Sequence, residues 1–266
     1  NNREEVYNYV KTGEQKREYG TNSTAATIHF GNISASYEID SLNLLTASTN
    51  FFGYKVDANT QSTNERWDNN SQLIYKFDNN MTTPGYSHLN IGGRLDYQHK
   101  THLDGEILTL SYMLAATRPH TIFRQTYSNM VNFPVSYTSY DQNTRERFTE
   151  HTFQIDYVHP FGKDHKLESG TKYILRYNNS TSLMDYQGTT PDMESKFKHN
   201  AQVAAAYLSY IFTAGKWAAR AGLRYEFTRM KASYPDGSNA DYHANLNDWV
   251  PSASLQYKIS DGQTLK

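Results

Sequence analysis

The residues that could do chemistry fall into three kinds of cluster, and each can be tested against what its chemistry requires. His99 and His102 stand in the run His-Lys-Thr-His beside a turn. A metal centre needs three or four converging ligands, and no further His or carboxylate is implied there by spacing. Asp78, Asn79 and Asn80, and residues 236–239, carry oxygen ligands but lack the D-x-D-x-D-G order of a calcium loop, so solvated loop tips are the simpler account. Ser87 precedes His88, and Asp156 lies three residues from His159. Neither pair comes with a nucleophile elbow or an identifiable oxyanion donor. The chain has no Cys, which removes thiolate nucleophiles, Cys-based zinc sites and disulfides. The expectation is therefore no enzyme, no metal and no cofactor. A formal net charge of -1 with scattered Lys and Arg gives no basic footprint, so nucleic acid is not an expected partner.

A different constellation is more regular. From Lys216 to Thr228, Trp217, Ala219, Ala221, Leu223, Tyr225 and Phe227 alternate with Lys216, Arg220, Gly222, Arg224, Glu226 and Thr228. In a strand these sets point to opposite faces, one apolar with aromatic ends and one charged. Elsewhere Leu167, Tyr173, Leu175 and Tyr177 oppose Lys166, Glu168, Lys172 and Arg176, and Ala253, Leu255, Tyr257 and Ile259 oppose Ser252, Ser254, Gln256 and Lys258. The aromatic residues read as interfacial anchors at the ends of a lipid-facing strand. The charged row, Lys172 and Arg176 with Lys216, Arg220, Arg224 and Glu226, reads as a lumen lining; cross-strand pairing and wall hydration are the bland account of it.

The elements that would position these residues are strands. Period-two alternation recurs and helical periodicity is almost absent. No run approaches the roughly 20 apolar residues of a membrane-spanning helix. Strands are expected near residues 24–40, 43–56, 86–100, 106–116, 148–160, 165–178, 200–212, 216–230 and 249–259. Their connections sort into two classes. Tight turns fall at 40–43, 103–106, 161–165, 213–216 and 260–263. Long polar stretches fall at 57–84, 117–147, 178–199 and 231–248, and read as loops. Short turns on one side and long loops on the other are the habit of an outer-membrane barrel. Composition agrees: 22 Tyr, 12 Phe and 3 Trp accompany a polar average, as expected where only alternate strand residues meet lipid. The tyrosines of the long stretches, Tyr127, Tyr137, Tyr140, Tyr186, Tyr234 and Tyr242, suit either ligand recognition at a wet surface or packing of the loops on themselves.

The stretch HNAQVAAAYLSYIFTAGKWAARAGLRYEFTRM at 199–230, with the later NDWVPSASLQYKISDGQTLK, resembles the barrel of TonB-dependent receptors, in particular the outer-membrane β-barrel family common in Bacteroidota. The shared features are the AAYLSY strand, the turn before Gly-Lys-Trp, the AGLRYEFT strand and the WVPSASLQY strand. The resemblance implies an all-β, antiparallel, up-and-down transmembrane barrel in the outer membrane of a Gram-negative cell. It also implies a barrel of about 22 strands, so the nine or ten strands of residues 1–266 form part of one barrel domain. With no starting Met, leader or plug-like segment, an internal fragment is expected. The family's partners would be outer-membrane lipid, the receptor's own plug domain and through it TonB, and a small-molecule or glycan ligand taken up actively, such as an iron chelate. The alternatives are a plug-less porin or assembly barrel, and a soluble β-rich surface module using its Tyr-rich loops.

Overall fold

The computed structural model describes residues 2–133, 135–260 and 262–265. Among them every regular element is a strand: β1 (Asn2–Tyr9), β2 (Glu14–Glu38), β3 (Asn43–Trp67), β4 (Leu73–Lys100), β5 (Ile107–Val131), β6 (Tyr137–Phe161), β7 (His165–Gly188), β8 (Met193–Ala214), β9 (Trp217–Ser233), β10 (Tyr242–Ser260) and β11 (Gln263–Leu265). Each pairs antiparallel with the next, so spatial order follows chain order from β1 to β11. Among the described residues the backbone of each strand lies beside that of its sequence neighbours alone. The protein is a single-layer up-and-down meander that is not closed, the all-β partial barrel expected from the sequence.

The nine expected strands are present as β2 to β10, with β1 and β11 added at the edges. Their boundaries beside the tight turns agree within a few residues. Asp40 shows why these ends were legible: its carboxylate accepts the backbone N–H of Leu42 at 2.8 Å and of Asn43 at 2.9 Å, closing the turn locally. Asp261, within the expected 260–263 turn, lies outside the described residues.

The four long polar loops are corrected. Residues 57–84 are the far ends of β3 and β4 around a turn at 68–72; 117–147 continue β5 and β6 around 132–136; 178–199 continue β7 and β8 around 189–192; and 231–248 continue β9 and β10 around 234–241. The ladder continues through Thr, Asn, Ser and Tyr with a few register steps, because backbone pairing needs no apolar face. Only the alternation that advertises it in sequence needs one. What differs between the two ends of the sheet is thus the length of polar strand overhang, and connections are short at both.

At the root of the overhang β4 carries a bulge. Val56 pairs with Tyr86 and Asp57 with Pro84, leaving Gly85 out at φ +80°, a left-handed conformation that a residue with Cβ adopts only under strain. The β4–β5 register also shifts between Thr82 and Ser87. These steps exchange the faces to which β4 side chains point on either side of the bulge.

Candidate functional site: two unlike faces and an aromatic end

The ladder registers sort the middle of the sheet into two faces. One carries Arg94 and Asp96 of β4, Ser111 of β5, Gln154 and Asp156 of β6, Glu168, Lys172 and Arg176 of β7, Tyr207 of β8, and Arg220, Arg224 and Glu226 of β9. The other carries Leu95, Leu110, Phe153, Ile155, Tyr173, Leu208, Leu223 and Leu255, all exposed.

Burial separates the faces further. Ser111, Thr152, Ile174, Ala201, Val203, Ala205 and Ser209 are buried and lie on the polar face. Nothing packs on a single-layer sheet, so side chains can be buried only by their own neighbours, and a face crowds its side chains when the sheet curls towards it. Thr152, 2% exposed, marks the concave side. The polar face is therefore the inside of the curl and the apolar face the outside.

The concave face is wired in pairs. Asp96 accepts Arg94 Nε at 2.6 Å and also the Ser111 hydroxyl. Asp156 accepts Gln154 Nε2 at 2.7 Å and the Tyr207 hydroxyl. Glu168 binds Lys166 at 2.8 Å and Arg220 at 2.8 Å, Glu150 binds Arg176, and Glu226 binds Arg224. These side chains are part-exposed, where an ion pair contributes about 0–1 kcal/mol. Their effect is a charged but locally neutralised wall. Tyr207 reaches Asp156 from two strands away because Gly170 stands between them; a Cβ there would meet the Tyr207 ring at 2.5 Å and Asp156 Oδ1 at 2.7 Å.

The convex face is bounded by aromatic pairs. Trp217 packs on Tyr257 with centroids 4.6 Å apart at the short-turn end, and Tyr225 packs on Trp249 at 4.7 Å further along. Between them stand Ala219, Ala221, Leu223, Leu255, Ala253 and Pro251. From Trp217 to Phe227 is ten residue steps, about 34 Å along a strand. Tilted by about 40°, that is a band about 26 Å tall, close to the roughly 25 Å apolar band of outer-membrane barrels.

That band is what a bilayer-spanning wall requires, and sequence comparison agrees. The outer membrane protein beta-barrel family matches residues 99–266, more than half of the chain. The chain belongs to this family. Its setting is the outer membrane. Among curated proteins none matches. Solved structures similar to this barrel chain include the ferric citrate transporter FecA in its unliganded form (TM-score 0.47, 11% identity, 94% of this chain and 40% of that chain). Others are the ferric yersiniabactin uptake receptor FyuA from Yersinia pestis (0.47, 10%, 94% and 43%) and the siderophore receptor PiuA from Acinetobacter baumannii (0.45, 11%, 94% and 46%). The chain spans less than half the length of each.

Within this barrel sheet, Trp217, Leu223, Tyr225, Phe227 and Tyr257 share the convex face, and Lys172, Arg176, Arg220, Arg224 and Glu226 share the concave one. Lys216 sits in the β8–β9 turn, its ammonium on the Ile259 carbonyl at 3.3 Å, rather than in the charged row. Asp156 and His159 point to opposite faces; His159 Nδ1 instead lies 2.6 Å from Glu106. Contacts from Thr101, Tyr157 and His159 hold the Glu106 carboxyl down at about 2. His88 stacks on Tyr54 at 5.2 Å, and His99 lies 2.7 Å from Asn43 Oδ1. Among the described residues no three His, Asp or Glu side chains gather as a metal set. Asp78, expected at a loop tip, lies within β4 and accepts hydrogen bonds from Thr63 at 2.7 Å and Asn129 at 2.6 Å.

The tyrosines of the overhang form a feature that sequence reading left undivided. Tyr127, Tyr137, Tyr140 and Tyr186 meet with ring centroids 5.0 to 6.0 Å apart, and Phe77 and Phe133 complete the cluster, packing on each other at 4.5 Å. Tyr140 and Tyr186 are register partners on the concave face. Burial, with Tyr137 alongside, pushes the Tyr127 hydroxyl well above its ordinary value. Phe77 and Phe133 lay in stretches read as polar loop, where a lone Phe carries no period; only strand pairing brings them beside Tyr127. Tyr234 packs instead on Phe197 at 5.4 Å.

Proposed function

We propose that the chain is the wall of an outer-membrane receptor of the TonB-dependent type, of the kind common in Bacteroidota, that takes up a ligand such as an iron chelate or a glycan. The observation carrying this reading is the two-sided sheet: an ion-paired concave face next to an exposed apolar band with aromatic limits. The first suits a water-filled lumen and the second suits lipid. The stretch at 199–230 that resembles such receptors supports the receptor type. In this reading Lys172, Arg176, Arg220, Arg224 and Glu226 line the lumen and meet plug or ligand, and the aromatic end around Tyr127, Tyr137, Tyr140 and Tyr186 lies outside the cell, where ligand arrives. The plug and TonB are the remaining partners, and the role is passage rather than catalysis.

The test is uptake in a Gram-negative host carrying the whole gene. Ligand-dependent growth that is lost on deleting either this gene or TonB supports the receptor. A steady ion conductance of the purified protein in planar bilayers without TonB indicates a plug-less pore and overturns it.

A further inference from the structure

The cations on the two faces of the sheet are treated differently. On the concave face the strand arginines Arg94, Arg176, Arg220 and Arg224 each hold a carboxylate. On the convex face, just past the apolar band on the overhang side, Arg118, Arg145, Arg147, Lys198 and Arg229 are exposed and make no ion pair or side-chain hydrogen bond among the described residues. Arg229 follows Phe227 by two positions, and Arg118 follows Ala116 by two. Thr117 pairs with Phe148 and His120 with Arg145, so the register puts Arg118 opposite Arg147. On β7 Asn179 is the register partner of both Arg147 of β6 and Lys198 of β8. Of the acids further out on this face, Asp141 is engaged by Arg124 at 2.7 Å and Glu194 by Lys196 at 2.7 Å, and Asp185 stands opposite Asp141, beyond the patch.

Like charges directly across a ladder destabilise a sheet, so this patch calls for an anion from outside the chain. Its position selects which one. The side chains point away from the lumen on the overhang side of the apolar band, Arg229 and Arg118 next after its last apolar positions and Arg147, Arg145 and Lys198 further out. Basic residues at the headgroup side of such a band draw anionic lipid. The overhang side is the outer one by the habit of such barrels. We propose that Arg118, Arg145 and Arg147, with Lys198 and Arg229 at their flanks, form a binding site for the phosphates of a phosphorylated glycolipid in the outer leaflet. Arg suits this over Lys because its planar fork meets phosphate oxygens two at a time. The proposal rests on the membrane-wall reading.

The experiment uses the whole protein, folded in detergent and examined by native mass spectrometry. The probes are bisphosphorylated lipid A, its dephosphorylated counterpart and inorganic phosphate. Heat-modifiable migration on a gel reports folding, and flotation with vesicles reports membrane insertion. The proposal expects retention of the bisphosphorylated lipid over the dephosphorylated one, about tenfold weaker retention in the triple variant R118Q/R145Q/R147Q, and little change in R118K/R145K/R147K beyond a weaker grip. If folded, inserted protein retains both lipids equally, or the folded glutamine variant retains the phosphorylated lipid unchanged, the proposal is overturned and the wall reading stands. Complete displacement of the lipid by millimolar inorganic phosphate also overturns it, since the site would then be one for free phosphate. Failure to float with vesicles overturns the wall reading and the proposal together.

Discussion

A tyrosine that reaches a carboxylate two strands away needs a gap, and Gly170 is that gap. Adding a methyl group there places a Cβ 2.5 Å from the Tyr207 ring and 2.6 Å from the Ile155 carbonyl. One contact is with a side chain that can swing and the other with backbone that cannot. Gly170→Ala is therefore expected to destabilise the folded barrel by about 1–3 kcal/mol and to release Tyr207 from Asp156, while Tyr207→Phe costs about 1 kcal/mol; urea unfolding in detergent checks both. Equal stability of the alanine variant and the parent would show that the strands part freely at this point. Asp236, in the β9–β10 turn, makes a second residue-scale case. The backbone N–H groups of Ser238 and Lys196 hold its carboxyl down at about 2. A depressed carboxyl contributes stability that is fully present above its ordinary value near 3.9 and lost as pH falls towards 2. The amide of Lys196 is thus expected to keep its exchange protection factor from neutral pH down to about 4 and to lose it between about 4 and 2. Protection that falls already at pH 6 would place the anchor elsewhere. Neither feature was visible in the sequence: Gly170 there is one glycine in a strand, and Asp236 one acid in a loop.

Alternation identified the elements where the two faces meet unlike surroundings and lost them where both faces meet water. In β9 the sets Trp217 to Phe227 and Arg220 to Glu226 could be read directly, and the registers put them on opposite faces of the sheet. In β5 the run from Thr117 to Val131 has no such signature, and its strand character comes from pairing with β4 and β6. Turn residues were legible at the end of the sheet where alternation runs up to them, since Asp40 closes its turn with atoms three residues away, and were lost at the other end inside the polar overhang. The apolar band makes a sharp prediction at this scale. Leu223 is 46% exposed, and at an exposed position in water Leu→Arg is close to neutral. In the middle of a lipid-facing band it is expected to cost about 2–4 kcal/mol, measured by reversible unfolding from vesicles. A cost near zero would sink the lipid assignment of the convex face. Leu246→Arg, on the concave face of β10, is the internal comparison and is expected to be tolerated.

The whole molecule carries three tryptophans, and they divide it into levels. Trp217 and Trp249 stand at opposite limits of the band, and Trp67 ends β3 far out on the overhang. In single-Trp variants inserted in vesicles, Trp217 and Trp249 are expected to be quenched by shallow lipid-attached quenchers, and Trp67 by aqueous iodide alone. Uniform aqueous quenching of all three would contradict a membrane-spanning wall. Both long edges of the sheet are open: β1 covers β2 only from Glu14 to Thr21, and β11 covers β10 only from Tyr257 to Ser260. A bilayer tolerates no unpaired strand edge in its apolar core, so these edges require further strands beside them in the membrane. The sequence by itself determined that the chain is all-β, that it has a wet face and an apolar one, and where the tight turns at one end of the sheet fall, because each of these is set by near neighbours along the chain. Only the tertiary structure decided that the polar stretches are strand, that the charged row curls inward in pairs across β4 to β9, that Phe77 and Phe133 join the tyrosines, and that Arg118 stands against Arg147. Those facts depend on register between strands, and register is fixed by the ladder as a whole.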